Sequence, residues 1–439
     1  MDVSPVQGRV TLGTQYFCDK EKEHGVVEHF KNEEGPFMVG DVADIVYKFH
    51  LWKREMPEIM PYFAVKANPH PTVLRILAEL GAAFDCASKD EMEAVMSLGV
   101  SPSSHMIYAN TCKSPANLTF AFDSIVRLMT FDNEYELKKM WRFQPAAVLL
   151  IRIRADESGV ALSFGTNLLI RIRADESGVA LSFGTKFGCE LDEVPYLLRE
   201  ATRLMFPVVG VSFHIGFNNS NPTVYATTIG WCKKVFQMAE VQGIRMKVVD
   251  IGGGFPGANE PQFLEISRIV RDALEEHFNL DDIAVMAEPG TFFVESAFTL
   301  YTQVIGKRQK GNQKMYFLND GAYGSFRQCA VYQSLYEPEP VIGGRSLEPG
   351  CSVWGPTCAS DDRIIQCCPL PDMDIGEWVA FRNMGAYEGE VATNFNGFPK
   401  PTVVFAVNAA IRPRFEACRT WPELLKLLKE QIAHKLDKK

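Results

Sequence analysis

The sequence predicts an α/β protein: a (β/α)8 TIM-like barrel joined to a second, all-β domain. Three observations support this. Between about residues 38 and 292, eight short apolar runs alternate with helix-like stretches, as parallel strands with helical crossovers require. Polar or reactive residues close most of those runs, and in such barrels the strand C-termini form the working face. From about residue 293 the helical period fades into shorter strands and turns.

In chain order the runs are PYFAVKAN with Lys66, AAFDCAS with Asp85, HMIYAN with Asn110, and VRLMTF before Asp132. AVLLIRIR follows, then VVGVSFHIG with His214, MKVVDIGGG with Gly252, Gly253 and Gly254, and IAVMAEPG with Glu288 and Gly290. The helices between them are legible: PTVLRILAELG puts Val73, Leu74, Ile76, Leu77 and Leu80 on one face and stops at Gly81, while DEMEAVMSLG stops at Gly99. NDGAYGSF, VWGPTC, EWVAFRN and PTVVFAV read as the β-domain, to which the first residues are expected to add strands. The expected division is a barrel at 38–292, a β-domain from 1–37 and 293–420, and a helical tail at 421–439. In that tail Thr420 and Glu423 form a capping box, and Leu425, Leu428, Ile432 and Leu436 share a face, which predicts a helix packed on its own domain.

Composition narrows the function. The 439 residues are 46% hydrophobic and carry a net charge of −9, so no basic excess points to nucleic acid or anionic lipid. No apolar stretch approaches a membrane span, and MDVSPVQGRV lacks a signal-peptide pattern. The 11 cysteines show no CxxC or Cys/His ligand spacing and read as reduced thiols, without a disulfide framework or metal site. A cytoplasmic enzyme is expected.

The chemistry starts at Lys66. A lysine at the mouth of a buried strand is desolvated, which lowers its pKa and frees the amine for a Schiff base with an aldehyde or ketone. Three consecutive glycines let backbone N–H groups approach an anion closely, as phosphate binding requires. Taken singly, each feature has a plain structural reading: Lys66 as a solvated charge, His214 as a core histidine, Glu288 as a strand-end acid, Cys358 as an inert thiol.

Together and in this order, FHIG, DIGGGFPG, MAEPG, WGPTC with Cys358 and NMGAY with Tyr387 resemble the eukaryotic ornithine decarboxylase family of fold-type III pyridoxal-phosphate enzymes. The resemblance runs from the N-terminal region to about Phe398. It implies pyridoxal 5'-phosphate as cofactor, joined to Lys66, with Glu288 facing the ring nitrogen and His214 stacked on the ring. Gly252, Gly253, Gly254, Gly290 and Tyr387 are implied cofactor contacts, and Asp85, Glu91 and Arg171 would orient lysine and cofactor. Cys358 would return a proton to the carbanion left by carbon dioxide, entering the site of a second subunit. A homodimer with shared active sites follows. Tyr332, Gln333, Ala359 and Phe395 would line the substrate pocket.

Arg171 belongs to an anomaly. LLIRIRADESGVALSFGT stands at 149–166 and again, unchanged, at 168–185, whereas a barrel has one slot for this strand. The second copy keeps the family-like spacing from Arg171 to Lys186 and Gly188; the first, with the duplicate Arg152, follows the preceding helix by a short link through Pro145. Identity this complete suggests a recent duplication or, the favoured reading, an error of sequence assembly. The displaced copy must loop out at the rim, where a loose strand is an aggregation hazard.

Departures from the family shape the expected activity. Ala359 stands where ornithine-acting members carry aspartate, and Gln333 where a second acid is expected. An ammonium in a site without a carboxylate loses solvation that nothing repays, so an aliphatic amino acid such as leucine is expected over ornithine, unless Asp361 or Asp362 rescues the cation. Thr291 replaces an arginine and Phe217 a serine near the phosphate, which weakens cofactor binding. The alternative is a non-catalytic protein like the antizyme inhibitors, which bind antizyme through the barrel surface. The segment from Lys113 to Phe143 is apolar and thinly basic, giving antizyme binding little support.

Overall fold

The computed structural model describes residues 35–155, 186–216, 221–311, 313–330, 336–407 and 411–436. They fall into two compact units, one holding residues 49–155 and 186–293, the other residues 35–48 and 294–436.

After β1 (Phe37–Asp41), which belongs to the second of these units, the chain builds a closed barrel of eight parallel strands. These are β2 (Ile59–Ala64), β3 (Ala83–Cys86), β4 (Met106–Tyr108), β5 (Leu128–Phe131), β6 (Val148–Arg152), β7 (Val208–Ser212), β8 (Val248–Asp250) and β9 (Ala284–Ala287). Seven lie within their expected runs, and β2 begins two residues ahead of PYFAVKAN. The ring closes where β2 pairs with β9, Ile59 opposite Val285. An apolar cluster of Ile107, Ala109, Leu150 and Met286, with Tyr62 and Val248 packed on it, ties opposite strands together. Helix Pro71–Leu80 stops at Gly81 as its sequence predicts, a φ of 91° suiting a residue without Cβ, whereas helix Lys89–Met96 ends at Ser97, two residues before the expected Gly99.

The duplicated strand resolves against expectation. The first copy, not the second, forms β6, pairing Leu128 with Val148 on one side and Leu149 with Val208 on the other. The physical reason is tether length: helix Glu134–Phe143 ends four residues before β6, so the first copy reaches the open slot at once, and the Val148 N–H bonds the Arg127 carbonyl at 2.8 Å. Ile153 then bridges to Cys189. Arg152 therefore ends the strand where Arg171 was expected, and Arg171 lies outside the described residues.

The second unit is mostly β. Its sheet contains β10 (Phe298–Lys310), β11 (Gln313–Leu318), β12 (Pro338–Pro340), β13 (Glu348–Trp354), β14 (Arg363–Leu370), β15 (Trp378–Phe381) and β16 (Thr402–Ala406), in the order β12-β15-β10-β11-β13-β14. β1 adds to it, antiparallel to β10 and parallel to β16. Phe37, Tyr301, Trp378 and Val404 pack as one core, with the Phe37 and Tyr301 rings stacked 5.0 Å apart. The C-terminal helix, Trp421–Leu436, has the expected capping box: Glu423 accepts from the Thr420 N–H at 3.2 Å and donates its own N–H to the Thr420 hydroxyl at 3.4 Å. Its buried residues are Trp421, Leu424, Leu427, Leu428 and Ile432; Leu428 and Ile432 are as expected, whereas Leu425 and Leu436 are only half-buried.

Candidate active site

The barrel brings one group of predicted residues to the C-terminal ends of its strands. Lys66 sits on a one-turn 3-10 helix, Val65–Ala67, directly after β2. Its ammonium lies 2.7 Å from Asp85 Oδ2 at the adjoining strand, the lysine side chain 43% exposed and the carboxylate fully buried. Lys66 is thus partly exposed, with a charge partner at its amine. The Ala64 N–H donates to the Pro289 carbonyl at 3.2 Å, tying the lysine strand to the EPG turn after β9.

His214 lies two residues beyond β7. Its Nδ1 accepts the Gly216 N–H at 3.0 Å, which leaves the ring proton on Nε2. Burial, aided by the charges of Arg152 and Lys66, drives its pKa well below the ordinary histidine value, so the ring is neutral. Arg152 places its guanidinium 5.3 Å from the centre of the Phe187 ring.

The glycine triplet is packed against this histidine and Glu288. A Cβ on Gly253 would stand 2.8 Å from the Glu288 carbonyl oxygen and 2.9 Å from His214 Nε2, so only glycine fits. Tyr225, fully buried, donates its hydroxyl to the Gly253 carbonyl at 2.9 Å and fixes the direction of that peptide. The Gly252 N–H is taken by Asp250 Oδ1 at 3.0 Å, while among the described residues the Gly253 and Gly254 N–H groups meet no protein acceptor. The triplet therefore has two roles: close packing of β7 to β8, and two amide donors for an anion.

Glu288 follows β9, and its buried carboxyl is hydrogen-bonded to the carboxyl of Asp250. Its pKa is raised well above the usual range, first by burial and then by the charges of Asp250 and Asp85. Asp250, buried at the end of β8, is raised for the same first reason. Asp250 was not singled out from sequence. The signal was present, since VVD ends a buried strand as Lys66, His214 and Glu288 follow theirs, but the glycines beside it claimed the reading. Gly290 is buried, with its carbonyl accepting from Phe293 at 3.3 Å, and Thr291 is buried at the start of the short helix Thr291–Val294.

A second group lies in the mostly-β unit. Cys358, exposed on the β13–β14 turn, donates both its N–H and its thiol to Asn396 Oδ1, at 3.0 and 3.2 Å. Phe395 stacks on Tyr323 at 4.8 Å, and Tyr323 donates its hydroxyl to Asp361 at 3.0 Å. Asp362, by contrast, is buried and engaged by the Ala322 and Thr357 N–H groups and the Thr357 hydroxyl. Tyr387 holds a left-handed backbone, φ 68°, at the start of helix Glu388–Val391. Tyr332, Gln333 and Phe217 lie outside the described residues.

A barrel mouth with a lysine, a glycine anion cup and a buried pair of carboxyls, Asp250 and Glu288, fits an aldehyde-bearing, phosphorylated heterocycle. The family model for the "Pyridoxal-dependent decarboxylase, pyridoxal binding domain" matches residues 42–295. The chain belongs to the pyridoxal-dependent decarboxylases. It is 36% identical to ornithine decarboxylase of Mus musculus over 86% of this chain and 82% of that protein. It is 38% identical to antizyme inhibitor 2 of Xenopus laevis over 85% of this chain and 81% of that one. Among solved structures, the arginine decarboxylase of Paramecium bursaria Chlorella virus bound to agmatine superposes with a TM-score of 0.80 at 31% identity, covering 88% of this chain and 99% of that chain. The cofactor of the decarboxylase is pyridoxal phosphate. Among the described residues, no helix is long and apolar enough to cross a membrane.

Proposed function

We propose that this decarboxylase acts on an aliphatic amino acid such as leucine in preference to ornithine, as a cytoplasmic homodimer with shared active sites. When bound, pyridoxal phosphate supplies the electron sink that makes loss of carbon dioxide from an amino acid feasible. The chain's own groups do the rest. Asp85 holds the Lys66 amine in place for the cofactor aldehyde, and the Gly253 and Gly254 N–H groups receive the phosphate. Arg152 contributes positive charge at the strand end, taking the role expected of Arg171, and Tyr387 offers its hydroxyl to the phosphate. Glu288, buried against Asp250, would face the ring nitrogen and hold a proton there. Neutral His214 gives a flat, uncharged ring face on which an aromatic heterocycle can lie. Cys358 delivers a proton to the carbon that loses its carboxylate.

The observation that carries the substrate preference is Ala359 beside a fully engaged Asp362: the turn offers a methyl group where an ammonium would need a carboxylate. Phe395 supplies apolar surface next to it. The test is amine and carbon dioxide release by protein loaded with pyridoxal phosphate, with leucine and ornithine competing. Faster turnover of ornithine would reject the preference and assign the cation to Asp361.

A second reading, a binding protein of the antizyme-inhibitor type, has one feature in its favour. Phe122, Ile125, Tyr135 and Trp141 are exposed on helices Pro115–Asp123 and Glu134–Phe143 and the turn after the first. Lys113 cannot add basic character to that face. It is buried, donates to the Thr130 carbonyl at 2.6 Å, and burial lowers its pKa to about 8 against the pull of Glu136. Retention of the Lys66–Asp85 pair favours the enzyme. Visible absorbance of the purified protein separates the two, since the pseudoenzyme would lack the cofactor band.

A further inference from the structure

The Cys358 thiol is exposed yet held. It lies on a turn whose other groups are braced from two loops distant in sequence. Thr393 donates its N–H and hydroxyl to the Tyr323 carbonyl at 2.9 and 2.8 Å, Phe395 stacks on the Tyr323 ring, and Tyr323 reaches back to Asp361 on the cysteine turn. The circuit ends on Asn396. This residue holds φ 55°, a left-handed conformation that asparagine tolerates better than most side chains, and it turns Oδ1 onto both the N–H and the sulfur of Cys358.

We propose that Asn396 is the positioning residue of Cys358: its carboxamide oxygen accepts from both the backbone N–H and the thiol and so holds the sulfur in one place. The physical basis is that one acceptor shared by two donors of the same residue fixes the sulfur relative to its own backbone. A group that hands a proton to one carbon must be held at that carbon, so the arrangement suits the role given to Cys358 above, and the inference rests on that role. No local pattern announces it, because 38 residues separate the partners.

Iodoacetamide alkylation of Cys358 in the cofactor-loaded protein, followed by peptide mass spectrometry across pH, tests the proposal. Exposed Cys112 and Cys367 serve as internal references. Asn396→Gly keeps the left-handed backbone and removes the oxygen; it should raise the Cys358 alkylation rate near neutral pH about fivefold, the weight of one net hydrogen bond. Asn396→Asp keeps the acceptor and adds charge, so alkylation should slow several-fold. In both variants kcat should fall with KM nearly unchanged. Unchanged alkylation in Asn396→Gly, or an equal rise at all three thiols, would overturn the proposal. If Cys358→Ala instead retains full turnover, the proton-donor role fails while the alkylation shifts still report the Asn396 contact.

Discussion

The barrel mouth and the β-unit loops solve the same problem, holding a reactive group still, by opposite means. In the barrel, the polar groups stand at the ends of parallel strands, mostly buried and electrically coupled. Lys66 is set against Asp85, Glu288 is pushed up by burial and then by Asp250, and His214 is held neutral by burial. In the β-unit, Cys358, Asn396, Phe395 and Asp361 sit on exposed loops, held by hydrogen bonds and a ring stack rather than by burial. The lesson concerns energetics. Strand-end groups interact at low effective dielectric, so changing one charge disturbs all of them, whereas a loop contact in solvent is worth roughly 1 kcal/mol and can be changed singly.

The largest effect should come from the barrel. Lys66→Ala should abolish both the visible cofactor band and amine production, by at least about a thousandfold, because among the described residues Lys66 is the lysine paired with Asp85. Residual turnover at the wild-type rate would place the cofactor attachment elsewhere. In the β-unit, Ala359→Asp should shift the ornithine-to-leucine ratio of kcat/KM about a hundredfold toward ornithine, read from competing-substrate assays. A shift confined to kcat for both substrates would mean that the loop was displaced rather than recharged.

Thr291→Arg tests the phosphate side of the barrel. It should tighten pyridoxal phosphate about tenfold in an absorbance titration, the gain of one charge-assisted hydrogen bond. Unchanged affinity would show that the glycine cup alone sets the phosphate contact.

The smallest effect tests whether burial operates in the β-unit away from its loops. Glu388 is buried there, accepts the Tyr336 hydroxyl at 2.9 Å, and burial raises its pKa to about 8 from an ordinary 4.5. The folded state therefore keeps this proton in a pH window where the unfolded chain has lost it. Stability from this group is complete below about pH 4.5 and declines as pH rises toward 8. Glu388→Gln should flatten that decline, raising Tm at pH 8 relative to the parent by roughly 3 °C or more, measured by calorimetry at both ends of the window. An unaltered pH profile would show that Glu388 is ionised in the folded protein.

Sequence alone determined the barrel, because its signals are local. Each apolar run of four to eight residues has the composition of a buried strand, and glycines such as Gly81 mark helix ends wherever they stand. The site residues Lys66, His214 and Glu288 were legible for the same reason: reactive side chains just past a buried strand must lie at one end of the barrel. Tertiary structure alone decided between two identical copies of a strand. Arg152 and Arg171 have the same neighbours and the same propensities, and only the short link from helix Glu134–Phe143 and the pairing of Val148 with Leu128 selected the first. It also decided the partners that sequence separation hides: Asp250 beside Glu288, Lys113 buried under Glu136, and Asn396 on the thiol of Cys358. Propensity acts over a few neighbouring residues, whereas a charge or a hydrogen bond acts on whatever the fold brings within reach.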